Sequence, residues 1–369
     1  MLNIILLLLV TLAGSMSAAY ADRQNPSGRT TVINIGFDKM SVPSRVPIWT
    51  NESGGYDTED GPKWARNTLV CLSNANAQYG QCQAEPVWHD ENVEVVPYLI
   101  PLIFTETTTN KQISLNIYTL KTHSPTTVAL ERRPYIAQLI RDANETSFTA
   151  YIPASEMAKL PTAGVWKAEL RMALMQWVNT KLFDWRATIT LRVTDYGNQQ
   201  IYLPQFGNSA PQVDLGLQLT TPGSVARPST MKGSKALDMC LYDGNDGASN
   251  RISLLLQDEG GPASGRGRGM FSVYRTGADK TNQRNRLDYS VSIINPTTNR
   301  PQPVTNGSEL IWTGTNRGPL RRVVLPGQLN SVLCVPAPIE LVTPEFNLAS
   351  KASGRYSGRL RIIYTPTTQ

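Results

Sequence analysis

The chain has 369 residues, 40% of them hydrophobic, with 35 Lys and Arg against 29 Asp and Glu and a net charge of +6. It is long enough for two domains of ordinary size, each with its own core. After residues 2–12 no stretch approaches the ~18 to 20 apolar residues that a membrane-spanning helix needs.

Residues 2–12 form an apolar run of signal-peptide length, and small residues follow it up to Ala19-Tyr20-Ala21, an A-x-A cleavage pattern. The expectation is a signal peptide over 1–21 and a mature N-terminus at Asp22, although the first residues carry no Lys or Arg. Export excludes nucleic acid as a natural partner. The basic excess also lies wholly in residues 199–369, with 18 basic and 11 acidic residues, against 17 and 18 in residues 22–198. The run Gly265-Arg266-Gly267-Arg268-Gly269 reads as a mobile loop.

Four cysteines suit an oxidising compartment: Cys71 and Cys82 in the first half, Cys240 and Cys334 in the second. Three pairings are possible, and one bridge per domain is the simplest. A metal centre needs a cluster of ligands. C-x10-C with only His89 and His123 in the whole chain does not supply one, so neither metal nor cofactor is expected.

In chain order, residues 31–35 alternate as a strand, and the turn formers and acids between 46 and 62 read as an exposed loop. Residues 67–72 enter the first cysteine as a strand. Residues 94–104 are apolar but interrupted by Pro97 and Pro101, which confines a strand to an edge, a start or a bulge. Residues 112–120 and 147–152 alternate well. Ser155 and Glu156 then open a helix of one or two turns that Pro161 stops. Residues 164–177 carry both a strand and a helix pattern; the strand is favoured, because residues 185–193 alternate cleanly and return as its hairpin partner.

A break at 195–198 divides the chain. Beyond it come strands at 199–204, 213–219, 237–242, 252–257, 270–274, 287–294, 321–325, 332–335 and 357–364, joined by Gly, Pro and Asn turns. This spacing describes a second sandwich of immunoglobulin type. Within KALDMCLYDG (235–244), residues 237–242 are apolar on both faces apart from Asp238, so the strand should be covered on both sides before it ends in the Asp243-Gly244 turn. The fold class is all-β, two immunoglobulin-like sandwiches in series.

Five segments in this order, YIPASEMAKLPTAGVW (151–166), TDYGNQQIYLPQF (194–206), DMCLYDG (238–244), SVLCVP (331–336) and the terminal GRYSGRLRIIYTPTTQ, resemble the minor tip subunits of class-five fimbriae. These are the adhesins and pilus initiators of the alternate chaperone–usher pathway. The resemblance implies an adhesin domain over 22–195, a short linker at 196–198 and a pilin domain over 199–369 whose fold lacks its last strand. The partners it implies are a periplasmic chaperone, the outer-membrane usher, and the major fimbrial pilin as donor of the missing strand. Localisation would be at the fimbrial tip after passage through the periplasm. Leu241, Leu360, Ile362 and Tyr364 are the expected lining of the donor-strand groove.

Better-known members of the family carry one arginine just before the first cysteine and a pair on the strand after Gly-Val-Trp. Arg66 matches the first; the places of the pair are held by Gln176 and Trp177. Parity along the strand sets Trp177 with Arg171 rather than with the inward Trp166 and Leu170. The expected receptor-binding residues are therefore Arg66, Trp177, Gln176, Arg171 and Arg186, offering an aromatic face and hydrogen-bond donors to a host-cell glycan or glycoprotein. The alternatives are a tip initiator or cap without its own receptor, a surface receptor with sequons at Asn51, Asn144 and Asn306, and a secreted glycan-active enzyme using Asp57, Glu59 and Asp60 or His89, Asp90 and Glu91. Adjacent acids in turn-rich loops do not make a catalytic pair, so an enzyme is not expected.

Overall fold

A computed structural model describes residues 23–88, 97–124, 133–138, 143–207, 210–222, 228–261 and 263–367. The expected signal peptide, residues 1–21, and the trio His89, Asp90 and Glu91 lie outside the described residues. The rest is two β-sandwiches in series.

In the first, nine strands form one sheet, ordered Arg23–Gln24, Arg45–Asp57, Glu145–Pro153, Gln112–Ser124, Tyr98–Glu106, Gly164–Met175, Lys181–Thr194 and Arg29–Asp38, with Thr68–Cys71 added on Gly164–Met175. The sheet closes on itself, because Trp49 and Trp185, from strands far apart in that order, meet edge-to-face with centroids 5.2 Å apart. Both are buried, and Trp166, Leu170, Ile189 and Leu191 complete a core drawn from one face of each strand.

The stretch at 164–177 is indeed a strand, Gly164–Met175, paired antiparallel with Lys181–Thr194. The loop expected at 46–62 is instead mostly a strand, Arg45–Asp57, whose pairing with Glu145–Pro153 shifts register three times. Bulges absorb the Gly-Gly and Asn residues that read as turn formers. Pro101 sits where its strand has a strand partner, Gln112–Ser124, on one side only; on the other side its carbonyl accepts the Gln81 N–H at 3.0 Å. The helix after it is the single turn Ala154–Met157. Ser155 lies inside that turn and does not cap it.

In the second domain one sheet runs Leu217–Thr221, Thr230–Leu237, Ile339–Asn347, Arg286–Asn295, Phe271–Arg275 and Tyr356–Ser357. The opposing layer has Glu309–Thr313, Arg251–Gln257 and Arg361–Thr367, and a further sheet orders Gln200–Tyr202, Cys240–Tyr242, Ser331–Pro336 and Arg321–Val324. The Cys240 strand is covered on both sides: Leu237, Met239 and Leu241 enter the main core, while Cys240 and Tyr242 pack with Leu325, Val332 and Cys334. Asp238, the polar exception, is held by Arg321 at 2.8 Å.

The bridges are Cys71–Cys82 and Cys240–Cys334, one per domain. The Gly265–Gly269 run is anchored rather than mobile: the Arg266 side chain is buried against the Asp258 carboxylate and donates to the Met270 carbonyl at 2.8 Å.

The turn after Cys240 ties the domains together. The buried Asp243 carboxylate accepts the N–H groups of Asn245, Gly247 and Ser249, each at 2.9 Å, and the Gly244 carbonyl accepts the Asp195 N–H. Lys111 reaches across from the first domain to the Ser331 carbonyl at 2.6 Å.

Candidate functional site

Two surfaces stand apart from the cores. The first is at the end of the first domain. Thr68 and Met175 are cross-strand partners in an antiparallel pair. Arg66 lies two residues before Thr68 and Trp177 two residues after Met175, so pairing geometry alone carries both past the same end of the sheet. The Arg66 guanidinium lies over the Trp177 ring, 4.9 Å from its centroid, and 5.9 Å from that of Trp88. The two indoles are 5.9 Å apart, tilted by 56°, and 41% and 48% exposed.

Each member is held by its element. Arg66 closes the single helical turn Pro62–Ala65, its N–H donating to the Trp64 carbonyl. Trp177 rides on a turn closed by the Gln176 N–H to the Thr180 carbonyl at 2.8 Å, with Asn179 in the left-handed region. Trp88 ends the strand Val87–Trp88, which pairs with Ile136–Ala137. Beneath them Val70, Tyr135, Ile136, Ala173 and Met175 form a small separate core, and Cys71–Cys82 fixes the strand that leads from Arg66.

Arg66 is the chemically distinctive group. Its Nε is buried without a hydrogen-bond partner, and among the described residues the guanidinium has no ion pair or acceptor. A cation stacked on aromatic rings gains roughly 0.5–1 kcal/mol per exposed contact, which orients it without satisfying its N–H groups. The arrangement offers a ligand two half-exposed indoles and the terminal guanidinium nitrogens, which have no acceptor among the described residues.

The other expected residues sit elsewhere. Arg171 lies mid-strand, bonded twice to Glu169 at 2.7 Å and stacked 4.0 Å over Tyr79. Its cross-strand partner Arg186 is 3.8 Å from Asp184. Neither contacts Trp177 or Arg66 among the described residues, and Arg171 is held in its charged form by Glu169. Gln176 contributes backbone to the turn. Sequence reasoning does not single out Trp88; its signal there is a tryptophan in a polar, turn-rich stretch, where no core strand would bury it.

The second surface is the Arg361–Thr367 strand. It pairs with Arg251–Gln257 along one edge and with no strand along the other among the described residues. On the partner strand Ile252, Leu254 and Leu256 are fully buried, whereas Leu360, Ile362 and Tyr364 are only partly so. Phe206, Val213 and Leu215, from the segment before Leu217–Thr221, are likewise partly covered. Leu241 is fully buried, opposite Ile201, and forms part of the core. An open edge beside half-covered apolar side chains has unpaired backbone groups and a surface that gains by accepting a strand.

The chain matches the first domain of CfaE, a CFA/I fimbrial subunit, over residues 18–196 and the second domain of the same family over residues 199–368. A curated relative, the CFA/I fimbrial subunit CfaE of Escherichia coli, is 29% identical over 370 residues, covering 97% of this chain and 96% of that protein. The crystal structure of CfaE, the adhesive subunit of the CFA/I fimbria of enterotoxigenic Escherichia coli, is similar with a TM-score of 0.78 at 25% identity, over 94% of both chains. A chaperone–tip adhesin complex for CFA/I fimbriae biogenesis is similar with a TM-score of 0.66 at 25% identity, over 94% of this chain and 98% of that one.

Proposed function

Since its two halves match the two domains of CfaE, the chain belongs to that family of fimbrial tip adhesins, and from this premise we propose that it binds a host-cell glycan through Arg66, Trp88 and Trp177 while its second domain accepts the donor strand of the next pilin. The observation that supports the receptor site is the Arg66 guanidinium, without an ion pair or hydrogen-bond acceptor among the described residues, set against two half-exposed indoles. Pyranose rings present C–H faces to aromatic rings and acceptor oxygens to guanidinium groups, so this pairing suits a sugar better than an apolar peptide.

The donor-strand reading is supported by the open edge of Arg361–Thr367 and the half-covered Leu360, Ile362 and Tyr364 beside it. On this reading a periplasmic chaperone covers the edge first, as the similar chaperone–tip adhesin complex suggests. The usher then hands the groove to the major pilin, and the protein takes its place at the fimbrial tip. A short linker at 196–198 leaves recognition to the first domain and assembly to the second.

The experiment is adhesion to host cells, together with binding to a glycan array, by the full mature chain and its Arg66→Ala, Trp88→Ala and Trp177→Ala variants. Loss of roughly tenfold or more in each, with unchanged folding, is the expected result. Unchanged adhesion in all three would remove the site and leave a tip initiator without its own receptor.

A further inference from the structure

One outer face of the first domain carries charge that neither the core nor the Arg66 site uses. On the antiparallel pair Gly164–Met175 and Lys181–Thr194, Arg171 lies directly opposite Arg186, Lys167 opposite Thr190 and Arg192 opposite Val165. The intervening Leu170, Ala187 and Ile189 are fully buried, so the charged set stands on the outer surface. Arg29–Asp38 extends that surface in parallel register, Thr30 beside Arg186 and Asn34 beside Thr190, and has no strand on its far edge among the described residues. From Arg171 to Val165 the surface is about 20 Å long.

Its cations are in excess and in part unpaired. Lys167 and Arg192 are exposed, and neither has an ion pair or hydrogen-bond acceptor among the described residues. Arg171 donates from Nε and Nη2 to Glu169 and stacks over Tyr79, which fixes the guanidinium and leaves Nη1 without an acceptor among the described residues. Arg186 is 3.8 Å from Asp184, a carboxylate that Lys181 holds more closely at 2.7 Å. Like charges directly opposite each other destabilise an antiparallel pair, so stability does not account for setting Arg171 against Arg186. Residues 22–198 together hold 17 basic and 18 acidic residues, so the excess belongs to this face and not to the domain.

The chemistry of the face selects its partner. Insertion into a lipid surface uses large apolar side chains, and a protein interface has an apolar centre. Here Val32 is the one exposed large hydrophobic among the described residues of the face. Exposed hydroxyl and amide groups of Thr30, Thr188 and Asn34 stand between the cations instead. A flat, elongated surface that alternates cations with neutral hydrogen-bonding groups complements an extended anion rich in hydroxyls. We propose that this face binds a linear anionic polysaccharide, its successive sulfate or carboxylate groups lying along Lys167, Arg171, Arg186 and Arg192 and its hydroxyls meeting Thr30, Thr188 and Asn34. The site is separate from the one at Arg66 and does not depend on it.

The test measures binding of the full mature chain to three immobilised polysaccharides: heparin, which carries sulfate and carboxylate, hyaluronan, which carries carboxylate alone, and neutral dextran. Two variants lose the same charge at different places. Lys167→Gln with Arg192→Gln alters the proposed face, and Lys235→Gln with Arg300→Gln alters exposed positions of the second domain. Binding to heparin, or to heparin and hyaluronan, without binding to dextran is expected, the first pattern assigning sulfate and the second carboxylate as the group recognised. Lys167→Gln with Arg192→Gln should weaken it roughly tenfold or more at an unchanged thermal midpoint, and the second-domain variant by less than about twofold. Equal losses in the two variants would mean that net charge alone attracts the polyanion, and would overturn the site. So would an unaltered affinity in Lys167→Gln with Arg192→Gln, or a chain that prefers neither polyanion to dextran.

Discussion

The Asp195 N–H donates to the Gly244 carbonyl at 2.6 Å, so the turn that ends the disulfide-anchored strand of the second domain also holds the residue that follows the strand Lys181–Thr194 of the first. The turn exists because Gly244 takes φ +73°. A Cβ there would stand 2.5 Å from the Asp195 carbonyl oxygen, which is backbone and cannot move aside cheaply. Gly244→Ala is expected to cost about 2–4 kcal/mol in denaturant unfolding, adding a steric clash to the left-handed strain. Gly277→Ala, at the same φ but with open space around its Cβ, provides the control and should cost only about 1 kcal/mol. Equal losses would show that the interdomain contact contributes nothing.

Asp246 makes the same junction sensitive to pH. Burial, reinforced by Glu106 and Asp243, pushes its carboxyl up to about 7 from 3.8, against the Leu333 N–H and Lys111. A carboxyl raised in the folded state binds its proton more tightly there than in the unfolded chain. Its stabilising effect is therefore full below about pH 4 and declines as pH rises to about 7, by an amount on the order of a few kcal/mol. Asp246→Asn keeps an acceptor for Leu333 and tolerates the positive φ of this residue. Between pH 4 and 7 the stability of the unaltered chain should fall relative to the variant; parallel pH profiles would contradict the assignment.

Much of this architecture is legible in the sequence because alternation is a direct image of a half-buried strand: Ile113, Leu115 and Ile117, or Ala187, Ile189 and Leu191, place their faces without ambiguity. Arg45–Asp57 is illegible because its bulges consume the very glycines and asparagines that mark turns elsewhere. Trp177 can be placed on the outer face by parity. Its neighbour Trp88 cannot, since nothing in sequence relates a residue in the first half of the domain to one on a distant hairpin. Arg171 and Arg186 look equivalent to Arg66 as charges; what separates them is the acid beside each, Glu169 and Asp184, which is a matter of side-chain geometry.

The two disulfides should contribute unequally. Cys240 and Cys334 are separated by 94 residues, Cys71 and Cys82 by 11. In the chain-entropy account the longer loop restrains the unfolded chain by about 2 kcal/mol more. Replacing each pair by alanine, with tryptophan fluorescence following mainly the first domain, which holds six of the seven tryptophans, and circular dichroism the whole, should show the larger loss for Cys240 and Cys334. The reverse order would mean that strain or residual structure outweighs chain entropy.

The Arg66–Trp177 contact has a measurable energy in the absence of any receptor. Both groups are partly exposed, so a double-mutant cycle with Arg66→Ala and Trp177→Ala should give a coupling of about 0.5–1 kcal/mol. Each single change should cost little in stability, because neither side chain belongs to the main core. No coupling would mean that ring and guanidinium are neighbours without interacting, and would weaken the case for a preorganised site.

The open edge gives the sharpest separation of assembly from recognition. Along Arg361–Thr367 the side chains alternate, so Ile362 faces the groove while Ile363, 42% exposed, faces solvent. Arginine at position 362 puts a charge into the apolar surface that a donor strand must cover, and burying it there unpaired is costly. Arginine at position 363 leaves the groove and the backbone edge as they are. Ile362→Arg is therefore expected to abolish incorporation at the fimbrial tip, and with an initiating subunit the fimbriae themselves, while Ile363→Arg assembles normally. Counting fimbriae by electron microscopy, with glycan binding by the isolated full chain measured in parallel, checks both halves of the expectation. Because Arg66, Trp88 and Trp177 belong to the first domain and Ile362 to the second, the variant that fails to assemble should still bind its glycan. Equal assembly by both variants would show that this edge accepts no strand.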